Sequence, residues 1–153
     1  MPNTNNYESV LRMQHIVFDK LNFKRIGFGP KDNETKFKFK VGIAKKEQES
    51  DENDNQEDYL VRLEAVATRE NEFKATICVT GFFEIAKDTK DKQLLLKQNA
   101  VAILFPFVRS EFTLLTTQPE TDPVVLPIMN IVEMMNDAEE TDLSKDALAN
   151  SEE

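Results

Sequence analysis

Nine consecutive residues, Ala100-Val101-Ala102-Ile103-Leu104-Phe105-Pro106-Phe107-Val108, carry no polar side chain, and a proline sits inside the run. A helix that is apolar all round must be buried on every side. The remainder of this 153-residue chain offers one sheet to bury it against. The run therefore predicts a second covering surface, supplied by a partner subunit, with Ile103, Leu104, Phe107 and Val108 as the interface residues.

The sheet is read from strict alternation. Phe37, Phe39, Val41 and Ile43 share one parity, and Lys36, Lys38 and Lys40 the other. Tyr59, Val61, Leu63, Ala65 and Ala67 share a face, as do Phe73, Ala75, Ile77, Val79, Gly81, Phe83 and Ile85. Period-two patterning of this length marks half-buried antiparallel strands. Residues 8–23 are also strand-like, with apolar residues at both parities: Leu11, Met13 and Val17 against Val10, Ile16 and Phe18. That mixture predicts a strand buried on both faces, placed at a subunit contact. Arg69-Glu70-Asn71 is short enough for a hairpin turn.

A helix is predicted from a cap at Asp88 or Asp91 to about Leu115, kinked at Pro106, which lacks an N–H and crowds the carbonyl of Ala102. Three prolines between Pro119 and Pro127 predict extended chain. Asn130 followed by Glu133 has capping-box spacing for a second helix, on which Ile131, Met134, Met135 and Ala138 form one apolar stripe. The pattern is α+β: a four-stranded antiparallel sheet with one long and one short C-terminal helix. One domain spans 1–137, with an acidic flexible loop at 45–57 and an acidic disordered tail at 138–153.

Charge follows the same division. The formal net charge is −9, yet seven acids and no base lie in 47–58, and six acids against Lys145 lie in 138–153. Those segments together carry −12, leaving the body near +3. The acidity serves solubility and disfavours nucleic acid. The polar N-terminus predicts no signal peptide, and no apolar run is long enough for a membrane span. One cysteine, Cys78, permits no intrachain disulfide and suits a reducing cytoplasm.

Catalytic and metal chemistry finds little footing. Asp51-x-Asn53-x-Asn55 starts like a calcium loop, but Gln56 replaces the turn glycine and Arg62 the bidentate acid. One histidine and one cysteine make no conventional zinc site. A Cys78–His15 nucleophilic pair requires their strands to adjoin, and a buried structural thiol is the favoured reading. Gly27-x-Gly29-Pro30 is no phosphate loop, because Pro30 has no N–H to donate. Lys36, Lys38 and Lys40 interleave with Phe37 and Phe39, as in some single-strand nucleic-acid sites, but the two sets face opposite ways; a lysine-protected edge or solvent face is favoured. No catalytic residue, metal or cofactor is expected, and the chain is read as a binder, not an enzyme.

Four segments resemble the bacterial protein-export chaperone family, SecB: Tyr59-x-Val61-x-Leu63; Gly81-Phe82-Phe83-Glu84-Ile85; Ile103-Leu104-Phe105-Pro106-Phe107-x-Arg109; and Leu126-Pro127-Ile128-Met129-Asn130-Ile131. The resemblance implies dimers paired into a homotetramer, with long helices packed between sheets. It implies a cytoplasmic holdase that binds unfolded preproteins in apolar grooves without ATP and passes them to the export motor SecA. Together with the apolar side chains flanking the connections, it points to Phe37, Phe39, Val41, Ile43, Leu126, Ile128, Ile131, Met134 and Met135 as client-binding residues. The chain departs from the family where SecA docks: Lys20, Lys24, Lys74 and Thr76 stand in place of acids, with Asp19 displaced. The alternative function is an oligomeric adaptor that binds one defined partner, such as an antitoxin, through the same groove.

Overall fold

The computed structural model describes residues 11–28, 34–47, 55–128, 133–134 and, as backbone, 139–141. Four long strands form: β1 (Leu11–Arg25), β2 (Thr35–Lys45), β3 (Gln56–Arg69) and β4 (Phe73–Ala86). A helical segment follows as α1 (Lys92–Leu95), a π-helical turn (Leu96–Ala100) and α2 (Val101–Thr116). The sheet order is β1-β4-β3-β2, all antiparallel, with a short parallel strand β5 (Glu139–Thr141) added on the outer edge of β2.

Alternation in β2 and β3 is as expected; in β4 the even residues Thr76, Cys78 and Thr80 are buried as well. The odd-numbered side chains of β3 from Tyr59 to Ala67, and those of β4 from Phe73 to Ile85, are buried. They face Leu96, Ala100, Val101, Leu104, Phe105, Val108 and Phe112 in one core. Helix and sheet approach closely at Gly81, where an added Cβ would lie 2.9 Å from Leu104 Cδ2. The hairpin at 69–73 forms as predicted, with Asn71 in the left-handed region at φ 62° and Glu72 N–H donating to Arg69 O at 3.0 Å.

β1 corrects the sequence reading. Its mixed parity comes from two bulges, between Met13 and His15 and between Phe18 and Lys20, each of which inserts one residue and reverses the alternation. Leu11, Met13, Ile16, Phe18, Leu21 and Phe23 consequently pair with the inward-facing odd residues of β4. The extra residues are anchored from the side: Gln14 Nε2 donates to Glu84 Oε2 at 3.2 Å, and Asp19 accepts from the Thr80 hydroxyl and pairs with Arg62 Nε at 3.3 Å.

The helix ends at Thr116, close to the predicted Leu115, but it starts differently. Asp91 stands at the N-cap position in a left-handed conformation, φ 55°, and its side chain caps nothing. A capping side chain requires an extended backbone, which Asp91 does not have. Pro106 lies within α2, and the departure from α geometry is the π turn that precedes that helix.

Residues 119–128 are extended, as the prolines predict, and return along α2 as a strap. Thr116 Oγ1 accepts from Val124 N–H at 2.7 Å, Thr113 Oγ1 donates to Val124 O at 2.9 Å, and Arg109 Nε donates to Leu126 O at 3.1 Å. Two further arginines fix the strap to the sheet. Arg25 donates to Pro119 O and Glu120 O at 3.3 and 3.2 Å. Arg69 donates to Asp122 O at 2.9 Å while paired with buried Glu72 at 3.5 Å.

The second helix is described only at 133–134, where the backbone is helical; Ile131, Met135 and Ala138 lie outside the described residues. The acidic tail begins with the short strand β5 instead of irregular chain, and the acidic loop is shorter than expected, because β3 already starts at Gln56. The candidate calcium positions Asp51 and Asn53 lie outside the described residues. Among the described residues, no helix is long and apolar enough to cross a membrane.

Candidate functional site: apolar surfaces around helix and strap

The sheet covers one side of α2 only. Leu104 and Val108 are wholly buried within the single chain, so they are core and not the outward interface residues expected of them. At 100° per residue, the helix side away from that core carries Ala102, Ile103, Pro106, Phe107 and Leu114. Ile103 is half-buried, Phe107 is 38% exposed and Leu114 is 66% exposed. On the strap, Val125 is 72% exposed and Ile128 92% exposed. The sequence reading included Ile103, Phe107 and Ile128 but missed Leu114 and Val125. Leu114 was legible as the i+7 position from Phe107.

The predicted client-binding residues divide in the same way. Val41, Leu126, Phe39 and Met134 are buried, which makes them core within the single chain. Inward-facing positions on β2 and on alternate residues of the strap are covered from above by the helix. Phe37 and Ile43 are half-buried. Phe37 lies edge-on to Phe112 at 6.0 Å and stacks with Phe39 at 6.4 Å, and Phe39 meets Phe105 at 6.3 Å. Phe37 and Ile43 on β2 and Ile128 on the strap therefore keep accessible apolar surface.

A small polar network holds the start of the helix against the sheet. Glu57 on β3 accepts from Lys92 on α1 at 2.9 Å, from the Tyr59 hydroxyl at 3.0 Å and from Lys45 at 3.3 Å. The Lys92 ammonium, helped by Tyr59 and Lys45 against some burial, lowers the Glu57 carboxyl to about 2. Burial, then the Glu57 contact, raises Tyr59 to about 12.

Cys78 does not pair with His15. β1 and β4 do adjoin, but Lys20 lies opposite Cys78, whereas His15 lies opposite Phe82 and stacks on its ring at 4.1 Å. Burial pushes the Cys78 thiol up to about 11, the opposite of what a thiolate nucleophile needs. Lys36, Lys38 and Lys40 are exposed on the sheet face opposite Phe37 and Phe39, as the solvent-face reading expected.

The chain is similar in structure to the SecB-like chaperone Rv1957 of Mycobacterium tuberculosis, solved in complex with a ChAD peptide from the Rv1956 HigA1 antitoxin. The TM-score is 0.60 at 12% identity, covering 78% of this chain and 88% of that one. It is also similar to a protein of unknown function from Streptococcus agalactiae, with TM-score 0.54, 16% identity, and coverage of 77% and 97%. In sequence, 63 residues are 41% identical to the uncharacterized protein MJ0357 of Methanocaldococcus jannaschii. That match spans 40% of this chain and 41% of the length of that relative. No protein-family model matches the chain. The fold is thus SecB-like: a four-stranded antiparallel sheet carrying the joined helix 92–116 on one face.

Proposed function

We propose that this protein is a non-enzymatic chaperone that holds unfolded polypeptides on the apolar surface left open by the strap and strand β2. The observation that carries this reading is the set of apolar side chains left accessible on β2 and the strap of a SecB-like fold: Phe37, Ile43, Val125 and Ile128. Such a surface binds by removing client apolar area from water, at ~25 cal/mol per Å² before ordering costs. In this reading the outer stripe of α2 packs between subunits of a cytoplasmic homotetramer, a dimer of dimers. Phe37, Ile43 and Ile128 remain for clients, and several weak patches act together through effective concentration. Export clients belong to the same reading. Delivery to SecA is disfavoured, because Lys20, Lys24 and Lys74 present positive charge where the family resemblance implies carboxylates, and like charge is a specificity barrier.

One observation favours a second reading. The SecB-like chaperone that shares the fold was solved with an antitoxin peptide. An adaptor for one defined partner, such as an antitoxin, uses the same apolar surface with narrower selectivity. Suppression of aggregation of two unrelated chemically denatured proteins separates the two. A general holdase suppresses both at near-stoichiometric ratios, whereas an adaptor suppresses neither.

A further inference from the structure

The helix and strap cover one face of the sheet; the opposite face is the solvent side, and its charges are unevenly placed. Strand register sets Lys24, Lys74, Thr68 and Lys36 side by side in a single row across β1, β4, β3 and β2. The next row on that face is Asn22, Thr76, Val66 and Lys38, and the one beyond begins with Lys20 beside Cys78. Lys20, Lys24, Lys36, Lys38 and Lys74 are exposed, and none of their side chains forms an ion pair or hydrogen bond with a described residue.

Lys24 directly opposite Lys74 is an unfavourable cross-strand pair. Acids border the lysine rows: Glu34 and Glu70, both exposed, stand two residues beyond Lys36 and Thr68 at the same parity. Glu64 is in the third row, Asp58 and Glu84 lie toward the other end, and Asp19 is held by Arg62 and Thr80. The fold thus gathers five lysine side chains that make no ion pair with a described residue into one corner of a chain whose formal net charge is −9.

We propose that this corner is a docking site for a short acidic segment of a polypeptide partner. Size and sign both select that occupant. Four adjacent strands set the lysine row ~14 Å wide, and two rows make it ~7 Å deep. That is the span of four or five extended residues with carboxylates on alternate positions. A longer polyanion such as a nucleic acid would run beyond the lysines onto the acids of the same face, and its phosphates would meet like charge. The site lies on the opposite side of the sheet from the proposed client surface and does not depend on it.

The test uses the full chain and a fluorescein-labelled acetyl-(Glu-Ser)4-amide peptide, read by anisotropy at low and at physiological salt. The peptide is expected to bind the unaltered protein, more weakly as salt rises. Binding should fall about tenfold or more in the combined variant Lys24→Glu, Lys36→Glu, Lys74→Glu, and survive in the matching arginine variant. Circular dichroism checks that both variants fold, and suppression of client aggregation is expected to be unchanged in them. Failure of the peptide to bind at low salt, affinity unchanged by the three charge reversals, or tighter binding of an eight-residue oligothymidylate would each overturn the proposal.

Discussion

Leu104 and Leu114 are the same residue type on one helix, ten positions apart, and the fold treats them oppositely: Leu104 is wholly buried and Leu114 is 66% exposed. Truncating each to alanine isolates what the fold does with each side chain. Leu104→Ala deletes methyl groups packed against strand β4 at Gly81, and a buried leucine truncation costs about 2–5 kcal/mol. With a urea m-value of roughly 1–3 kcal/mol per molar, the unfolding midpoint falls by about 1 M or more, at every protein concentration. Leu114→Ala removes little that the single chain buries. Its intrinsic effect stays within about 0.5 kcal/mol, the range of an ordinary surface change. If the outer stripe is a subunit contact, the Leu114 loss grows with protein concentration, because association contributes to apparent stability by mass action. Urea melts at three protein concentrations, with sedimentation equilibrium alongside, read both quantities. A Leu104→Ala shift below 0.3 M, or a Leu114→Ala loss equal to it in dilute protein, would refute the assigned orientation of α2.

Other expectations follow from the same geometry. Sedimentation equilibrium at micromolar concentration should show a tetramer, and Phe107→Glu should dissociate it; a monomeric unaltered chain would defeat the subunit-contact reading. Replacing Phe37 and Ile128 together with serine should weaken suppression of aggregation several-fold while the protein stays folded, with a stability loss of about 1–3 kcal/mol that comes mainly from the Phe37 contacts with Phe112 and Phe39. Glu57, lowered to about 2 by Lys92, contributes stability that is present above the ordinary carboxylate range and is lost as pH falls from about 5 toward 2. Lys92→Met should bring the Glu57 titration, followed by carboxyl NMR, back up toward the ordinary value and flatten that acid dependence. Gly81→Val should destabilise by about 1–3 kcal/mol, because its side chain would collide with Leu104 and Phe83; an unchanged thermal midpoint would show that the helix can move away.

Much of this was legible in the sequence, and the failures have specific causes. β2, β3 and β4 were readable because an uninterrupted period of two has one interpretation when one face is buried. β1 was misread because its period is broken twice, at Gln14 and Asp19, and a bulge leaves no residue-type signature that separates it from burial on both faces. The apolar run 100–108 identified the helix but hid its orientation. Leu104 and Phe107 are equally hydrophobic, and only the close approach at Gly81 determines which faces inward. The strap was predicted as extended from its prolines, yet its attachment was not. The arginines that tie it down, Arg25, Arg69 and Arg109, bond to carbonyl oxygens, which every residue offers. Leu126 and Val41 were read as groove residues because sequence shows apolarity and not what lies above it.

The bulge at Asp19 connects the two faces of the sheet. Without the inserted residue, β1 beyond Phe18 would slip by one position against β4, and a one-residue slip moves every side chain to the other face. Lys20, Asn22 and Lys24 would then stand on the helix-side face opposite Ile77, Ala75 and Phe73, and Phe23, which packs against the core, would turn to solvent. That slip would exchange the Phe23–Phe73 ring contact for a lysine against Phe73, which favours the register observed. That register also places Lys24 beside Lys74, and it spends the extra residue on the Arg62–Thr80 anchor. Core burial requires only that Phe23 face inward; it does not require lysine at 20, 24 or 74. Removing the like-charge pair would relieve the sheet without disturbing its apolar side. The lysines are therefore better explained by what meets the open face than by what holds the closed one.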